Sequence, residues 1–401
     1  MKAFCAPSGR RIAPFLDPMG EVQILGRDLA EYQREELIEA GLEPVSEVPV
    51  GEPYLLYSDR TWFSRAAVQR FVAQAQAPAR LRVEHAQWLE LTGPLQRWDE
   101  PGVYEMALLP AGAPPSFESA PPVTIDLQLQ QLKQPAAHPA MAHAAPSSVP
   151  VGEAGIHQID HWLHILRANW LAAGARRERA KGRFARAGAA SKAAQMAQIA
   201  WRMRSWNKFG LAAALSRFGP GCQIHPTAVV EASLIGANVV IGPFSVVRGA
   251  TVCDGVEIGE HASINGSVIG AGCWVSRRAT ANLCVLYPGV HLSAGDGFQA
   301  CIFGRDAFVA WSSTVFDLSF GAPIKVYDEG RRVSAGTHFL GAAVGHRSRL
   351  GGKVILGYGS ETPNDSFLVS SSGDVLRAWE EGPSPHRVEG GVARPVRREK
   401  T

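Results

Sequence analysis

A six-residue repeat runs through the C-terminal half of the chain and constrains the fold more than any other feature. An aliphatic residue leads almost every block, with Cys253 as the exception, and most steps between leaders are six residues with a few of five. The next position is rich in Gly, Asn and Asp, and the fourth residue after the leader is mostly small or apolar. This period fits neither an α-helix nor an amphipathic strand of ordinary length. From Ile224 the blocks read IHPTAV, VEASL, IGANVV, IGPFSV, VRGATV, CDGVE, IGEHAS, INGSV, IGAGCW and VSRRAT.

The repeat predicts a left-handed parallel β-helix, a triangular coil in which each side takes one block. The leaders would point inward and stack on the next coil about 4.8 Å away. We expect Gly, Asn and Asp to relieve the backbone at the corners. The register returns at VGHRSR, LGGKVI, LGYGSE and TPNDSF, so the prediction is about five coils within 220–376. An excursion from the prism is expected at 282–339, and loops of that length are usually functional.

The first 110 residues predict a separate α/β domain. ILGRDLAEYQREELIEAGLEPV contains an amphipathic helix ending at Gly41, PYLLYSD is a buried strand ending at Asp59, and TWFSRAAVQRFVAQAQ is a second helix. A strand, a polar residue and then a helix place Asp59 where open α/β sheets bind ligands.

Residues 4–41 resemble the opening of sugar-1-phosphate nucleotidyltransferases, which have a strand, a loop of the form AGxGTR, a Pro-Lys pair and a GKPL-type helix start. With the C-terminal prism, the layout is similar to the bifunctional uridyltransferase–acetyltransferases that make UDP-N-acetylglucosamine. The resemblance implies that Gly9 and Arg11 bind a nucleotide or phosphate and that Asp59 holds a metal ion, Mg²⁺. The matching positions are Gly9, Arg11, Pro14, Pro18, Gly26 and Asp59.

The same opening departs from the family at positions that carry chemistry. Pro7 replaces the first loop Gly and removes an amide donor, Arg10 replaces the small Thr, and Met19 stands where the Lys belongs. Nucleotidyl transfer depends on such positioned cations. We therefore expect a degenerate domain that binds a nucleotide or sugar phosphate without turning it over; a chance α/β match without a ligand is the alternative.

The β-helix resembles acyltransferases that place acyl-CoA, such as acetyl-CoA, in a groove between the subunits of a homotrimer. A histidine acts there as general base. His346 is the first candidate, because GHRSRLGG puts Arg347 and Arg349 close by for phosphate binding, and His261 is the second. Polar candidates for substrate binding lie at the two ends of the excursion and in TPND; ordinary turn chemistry is their alternative. These are Asn282, Tyr287 and Asn364.

Between and after these domains the sequence predicts connecting segments. Residues 111–153 are a Pro/Ala-rich linker, 154–219 a helical connector and 377–401 a disordered tail. From Arg167 to Lys208 there are eleven Lys or Arg and one acid, Glu178. Such an arm is able to bind nucleic acid or an anionic membrane, although a solvated connector is the more ordinary interpretation.

Composition narrows the class of protein. Of 401 residues, 46% are hydrophobic and the formal net charge is +3, so no strong attraction to polyanions is expected. The six cysteines form no CxxC pair, which argues against a zinc site, and no apolar run suggests a membrane span or secretory signal. We expect a cytoplasmic transferase that passes an acyl group from acyl-CoA to an amino-sugar or sugar-phosphate acceptor. The alternative is a non-catalytic sugar-nucleotide-binding protein or scaffold.

Overall fold

Short parallel strands make up the C-terminal half of the chain, as the repeat predicts. The computed structural model describes residues 1–133, 148–203, 205–295, 297–371, 378–381, 386–390 and 392–395. The left-handed parallel β-helix is confirmed: strands of two or three residues stack in register, and Ile224 pairs with Ile241, which pairs with Ile258. The stacked leaders form a continuous buried core. Each fully buried aliphatic side chain contributes about 1.5–3 kcal/mol.

The N-terminal domain is built on a six-stranded mixed sheet of order β4-β1-β5-β8-β7-β9. The predicted strand ending before Asp59 and both predicted helices are present, and the second helix begins after Ser64, whose side chain accepts the N–H of Ala67. Because β1 and β5 are parallel, the loop 7–11 and Asp59 share one edge of the sheet. The strands are β1 (Lys2–Ala6), β2 (Gln23–Ile24), β3 (Arg27–Asp28), β4 (Glu43–Val45), β5 (Tyr54–Ser58), β6 (Thr61–Phe63), β7 (Ala79–Arg82), β8 (Val103–Leu109), β9 (Pro122–Thr124), β10 (Gln130–Lys133), β11 (Ser148–Val151) and β12 (Ile156–Gln158).

Six α-helices accompany the sheet and lead to the prism within the described residues. They are α1 (Leu29–Glu39), α2 (Arg65–Gln74), α3 (Ala86–Thr92), α4 (Trp162–Arg186), α5 (Ala189–Arg202) and α6 (Lys208–Ala214), with a 3-10 turn at Met19–Glu21. The first half of α4 is buried and the second half is largely exposed. In the part of the chain that the structure describes, no helix is long and apolar enough to cross a membrane.

The prism has more coils than the repeat count predicted. Equivalent residues in successive coils lie 17 residues apart, as Thr227 and Phe244 do. Three strands close one coil. The strands of the prism before the excursion are, in chain order, β13 (Arg217–Phe218), β14 (Gln223–Ile224), β15 (Val229–Glu231), β16 (Leu234–Ile235), β17 (Val240–Ile241), β18 (Val246–Arg248), β19 (Thr251–Val252), β20 (Glu257–Ile258), β21 (Ser263–Asn265), β22 (Val268–Ile269), β23 (Trp274–Val275), β24 (Thr280–Asn282), β25 (Val285–Leu286), β26 (His291–Leu292), β27 (Phe298–Gln299), β28 (Ile302–Phe303), β29 (Phe308–Val309) and β30 (Thr314–Val315).

The excursion is shorter than predicted. Residues 282–315 stay in the prism, because Cys284, Phe298 and Cys301 fill inward positions that the hexapeptide pattern gives to smaller or aliphatic side chains. The excursion covers 316–342 and contains the hairpin of β31 (Lys325–Asp328) and β32 (Arg331–Ser334). The prism then resumes with β33 (Ala343–Val344), β34 (Arg349–Leu350), β35 (Ile355–Leu356), β36 (Glu361–Thr362) and β37 (Phe367–Leu368).

The connecting segments are partly ordered. Within the linker predicted at 111–153, β10 pairs with β11, and residues 134–147 lie outside the described part of the chain. The tail predicted to be disordered contains a three-stranded sheet of β38 (Ala378–Trp379), β39 (His386–Glu389) and β40 (Val392–Pro395). The described cysteines are all free.

The N-terminal domain covers one face of the prism. The strands β22, β25, β28 and β33 belong to one sheet, and their outward side chains Val268, Val285, Ile302 and Ala343 are buried in a core shared with the N-terminal domain and α4. The covered face joins the two halves of the molecule.

Candidate functional site

A cleft of about 500 Å³ lies between the N-terminal domain and the excursion hairpin. Its volume falls in the range of small-molecule sites. The loop after β1 forms one wall, the start of α4 forms the floor, and the β31–β32 hairpin with the last coils forms the other wall. The lining residues are Arg10, Arg11, Ile12, Ala13, Arg97, Asp160, His161, Tyr327, Asp328, Glu329, Gly330 and Glu361.

Two arginines supply the available positive charge of the cleft. Arg11 donates to the carbonyl O of Leu16 at 2.7 Å, and Arg10 stands 3.8 Å from the carboxylate of Asp160. That carboxylate is also bound by the buried guanidinium of Arg60. Since Leu16 offers only a neutral carbonyl, Arg11 retains most of its capacity to bind an anion.

The third arginine of the cleft holds its two walls together. Arg97 donates to Asp328 at 2.8 Å and also pairs with Glu329, both on the hairpin. Its backbone N–H donates to Asp160 at 3.0 Å. The guanidinium of Arg97 is therefore neutralised by protein carboxylates and is less available to a ligand.

Glu361 gives the cleft a carboxyl group of altered acidity. Burial raises its pKa above the usual value for a glutamate. A carboxyl group at this position is suited to accept hydrogen bonds from ligand hydroxyls. The cleft thus has two arginines, Arg10 and Arg11, on one wall and the carboxyl group of Glu361 on the other.

His161 ties the floor of the cleft to the hairpin. Its Nδ1 accepts the N–H of Leu163 at 3.2 Å, so Nε2 carries the proton and donates to the carbonyl O of Tyr327 at 2.9 Å. Burial lowers the pKa of His161 and keeps the ring neutral. Both nitrogens are engaged, so His161 positions the wall of the cleft.

Gly9 and Asp59, which the resemblance assigns to phosphate and metal binding, lie at the edge of the sheet beside the cleft residues Arg10 and Arg11. Gly9 has φ of +66°, a left-handed conformation that favours glycine. Asp59 accepts the N–H of Ser8 at 3.0 Å, which fixes the shape of this loop. Among the described residues no group of three or more His, Cys, Asp or Glu is arranged to hold a metal ion. Mg²⁺ prefers six oxygen ligands, and Asp59 offers one carboxylate already in use, so the described residues here do not fit the Mg²⁺ site that the resemblance implies.

His346 lies outside the cleft, beneath a loop of the N-terminal domain. Its side chain is buried; Nδ1 accepts the backbone N–H of Arg305 at 2.7 Å, and Nε2 donates to Asp17 at 3.0 Å. The guanidinium of Arg305 donates to the other oxygen of Asp17 at 2.6 Å. In this arrangement His346 has no free lone pair with which to accept a proton.

Two other predicted residues, Tyr287 and Asn364, lie beside His346. We call this cluster the domain joint and define it as Phe15, Asp17, Tyr287, Arg305, His346 and Asn364. Tyr287 is fully buried, stacks on Phe15 with ring centres 5.4 Å apart, and its hydroxyl accepts the N–H of Gln23 at 3.2 Å. Asn364 accepts the N–H of His346 at 2.7 Å and donates to the carbonyl O of Phe15 at 2.8 Å. The predicted base His346 and two of the three predicted substrate-binding residues, Tyr287 and Asn364, therefore lie together, and their contacts in the structure are with the N-terminal domain.

The remaining candidates are spread over other parts of the prism. Arg347 forms an exposed ion pair with Asp365 at 2.6 Å. Arg349 is exposed on the sheet that includes β29 and β34. Asn282 donates to Gln299 of the next coil at 2.6 Å. His261 is exposed, with its ring stacked on Phe244 at 5.1 Å.

Several site residues were missed by sequence reasoning. Arg10 was noted only as a departure, and Arg97, Asp17, Arg305 and Glu361 were not singled out. Their partners are far away in sequence, as with Asp17 and His346, 329 positions apart. The one local signal was Arg10 beside Arg11, a pair of cations at the end of a strand.

One family model matches part of the β-helix, and several solved structures match 38% of the chain. Residues 216–315 match the model of the GMPPB C-terminal domain. None of the curated proteins matches the chain. The resemblance of residues 4–41 to nucleotidyltransferases is not covered by that model and stays a prediction.

The solved structures are distant. A hexapeptide transferase family protein from Anaplasma phagocytophilum is 19% identical, covering 38% of this chain and 72% of its own, with a TM-score of 0.21. The acetyltransferase domain of PglB from Neisseria gonorrhoeae, in complex with acetyl coenzyme A, is 15% identical over 38% of this chain and 55% of its own, with a TM-score of 0.14. A mutant of perosamine N-acetyltransferase from Caulobacter crescentus, in complex with CoA and GDP-perosamine, is 18% identical over 38% of this chain and 50% of its own, with a TM-score of 0.12. The β-helix of this chain is thus built from hexapeptide repeats, and its residues 216–315 are similar to the GMPPB C-terminal domain.

Proposed function

We propose that the cleft binds a phosphorylated sugar, as a sugar phosphate or a nucleotide sugar. The observation that carries this proposal is the pairing of Arg10 and Arg11 on one wall with Glu361 on the other. Guanidinium groups bind phosphate oxygens through charge-assisted hydrogen bonds. Carboxyl groups accept hydrogen bonds from sugar hydroxyls, so one ligand satisfies both walls.

The charges of the cleft favour a ligand with few phosphates. Asp160, Asp328 and Glu329 also line it. They occupy Arg60 and Arg97, so only Arg10 and Arg11 remain to bind the concentrated charge of a nucleoside triphosphate. Met19, where the resemblance would place a lysine, is 2% exposed within the shared core. Both features support a cleft that binds without nucleotidyl transfer.

The test is isothermal titration calorimetry with UDP-N-acetylglucosamine, N-acetylglucosamine 1-phosphate and UTP. Arg10→Gln and Arg11→Gln should each weaken binding of the first two ligands about tenfold or more, because a hydrogen bond to a charged group is worth about 1.5–3 kcal/mol. Arg331→Gln, on the exposed strand of the hairpin, is the charge control. Binding unchanged by the first two substitutions, or shown by UTP alone, would reject the proposal.

Acyl transfer on the β-helix is the second candidate activity, favoured by the fold and by an exposed histidine on an open corner. His261 is accessible, and a histidine side chain is suited to take a proton from an acceptor amine or hydroxyl. The acceptor then forms a bond to the thioester carbon of acyl-CoA, the C–S bond breaks, and the proton passes to the departing CoA thiolate. We place this chemistry in the cytoplasm, in a homotrimer with the acyl-CoA groove between prisms.

The contacts of His346 decide which of the two candidate histidines, His261 or His346, we propose as the general base. While Asp17 and Arg305 hold both of its nitrogens, His346 is unable to act as a base. An acyl-transfer assay with acetyl-CoA and amino-sugar acceptors should therefore lose activity in His261→Ala, and His346→Gln should act through stability alone. Sedimentation should give the mass of three chains; activity retained in His261→Ala would exclude this assignment.

The alternative is a non-catalytic relative that senses a sugar nucleotide or serves as a scaffold. Two observations favour it: the occupied nitrogens of His346 and the burial of Met19. Ligand binding without acyl transfer, for all donors and acceptors tried, would favour this alternative over the enzyme.

A further inference from the structure

The segment between the two domains exposes an unusual amount of apolar surface. This helical arm, residues 177–215, comprises the second half of α4 together with α5 and α6. No described residue of α5 is buried. Trp201 and Trp206 are each 84% exposed. The exposed apolar side chains of the arm are Met196, Trp201, Trp206, Phe209, Leu211 and Leu215.

The same arm carries positive charge with little acidic compensation, because its one acid is Glu178, which pairs with Arg177 and Lys181. From Arg179 to Val230 the sequence contains no Asp or Glu, whereas the whole chain has 40 basic and 37 acidic residues. Arg179 itself is bound to Glu36 and Glu39. Exposed cations follow it along α4, α5 and the start of α6. Lys181 pairs with Glu178 and Arg186 with Glu153, and Arg183, Arg202 and Lys208 are further exposed cations.

We propose that the helical arm binds an anionic membrane surface. A basic helix with exposed Trp, Phe and Leu side chains lies in the interface plane, with its apolar side chains in the acyl boundary and its cations among the headgroups. Trp rings are enriched at the headgroup level. Trp201, Trp206 and the cations beside them, Arg202 and Lys208, give the arm this combination.

Anionic lipid accounts for the arm better than single-stranded nucleic acid does. Stacking on bases uses aromatic faces, and it gives no role to exposed aliphatic side chains such as Met196, Leu211 and Leu215. An acyl-chain boundary takes up aromatic and aliphatic side chains alike. The charge complementarity favours lipid over a second copy of this chain, whose arm is equally basic.

The experiment is co-sedimentation of the full chain with vesicles of phosphatidylcholine alone or with phosphatidylserine. We expect binding to the anionic vesicles that weakens as salt is raised. Arg202→Gln with Lys208→Gln should lower the partition coefficient about 30-fold, since each cation near the surface contributes about 1 kcal/mol. Trp201→Ala with Trp206→Ala should lower it at least about tenfold.

Matched substitutions on the prism serve as controls. Trp311→Ala removes a half-exposed Trp, and Lys353→Gln removes an exposed cation; neither should change vesicle binding. Equal binding to neutral vesicles, or none to anionic ones, would overturn the proposal. So would arm variants that change the sedimenting mass or binding to poly(U) while leaving vesicle binding intact.

Discussion

His346 is held by two groups that define its tautomer. The N–H of Arg305 points at Nδ1, so the proton resides on Nε2 and faces Asp17. The sequence singled out this histidine because it follows a leader and precedes two arginines. Its partner Asp17 lies 329 positions away, a relation that no local pattern contains. The sequence could therefore single out His346 as a candidate functional residue, but it could not show that His346 contacts the N-terminal domain.

The contact between Asp17 and His346 should be energetically coupled. Both side chains are buried at the domain joint, so removing either leaves the other without a partner. His346→Ala and Asp17→Ala are each expected to cost about 2–4 kcal/mol of unfolding free energy, with a coupling of about 0.5–3 kcal/mol in the double variant. Urea unfolding of the four proteins measures this.

The neighbouring ion pair provides the comparison. Arg347 and Asp365 are exposed, so Arg347→Gln should leave the urea midpoint unchanged. If the costs of the two joint substitutions simply add, the contact of Asp17 with His346 contributes nothing and its assignment to the joint is wrong.

At the scale of one strand and corner, the glycines after the leaders have a different role from the one predicted. The left-handed residues lie two or three positions after the leader, as at His261 (φ +59°) and Gly249 (φ +56°). The glycine directly after the leader is needed for close stacking instead: a Cβ on Gly270 would lie 2.6 Å from the carbonyl carbon of Tyr287. The repeat could be read from sequence because it is local, but the spacing between coils, which explains these glycines, could not.

Two glycines in the same register position test this explanation. Gly270→Ala should destabilise the protein by about 1–3 kcal/mol, because the added methyl group meets backbone atoms of the next coil. Gly357 also follows a leader, and a Cβ there meets no atom of the described residues within 4 Å. Gly357→Ala should therefore cost little. Thermal unfolding compares the two; equal losses of stability would show that dihedral freedom, and not stacking, selects glycine.

For the whole molecule, a group of buried histidines connects the N-terminal domain, α4 and the excursion. The rings of His157 and His164 have centres 4.9 Å apart, and His164 donates from Nε2 to the carbonyl O of Pro94 at 2.9 Å. Arg167 donates to the carbonyl O of Ala335 in the excursion at 2.8 Å. The motif HQIDHWLH was visible in the sequence, but its contacts with residues before and after it appear only in the folded chain.

These histidines should make stability depend on pH. Burial lowers the pKa of His157 and of His164 well below the ordinary value of 6.5. Both are neutral in the native state and take up protons on unfolding, so the unfolding free energy is expected to be level above about pH 6.5 and to fall below it. The fall should approach about 1.4 kcal/mol per pH unit for each histidine.

Urea unfolding at about pH 7.5, 6.5 and 5.5 measures this dependence. The variant His157→Asn with His164→Gln should be less stable overall yet show a flatter fall, because the two titrating groups are gone. His225→Gln, at an exposed histidine, should leave the slope unaltered. An unaltered slope in the double variant would mean that other groups cause the acid sensitivity.

The spread of contacts along the covered face limits how this protein is able to change in length. The N-terminal half touches the prism at several heights: Gly26 lies against Cys253, Trp170 donates to the carbonyl O of Leu283 at 3.0 Å, and Asn364 donates to Phe15. Adding a coil between these points would displace one anchor from the others by about 4.8 Å, one coil rise. Whole-coil insertions and deletions, which isolated solenoids tolerate, are thereby confined to the first coils, ahead of Cys253, and to the far end beyond Asn364.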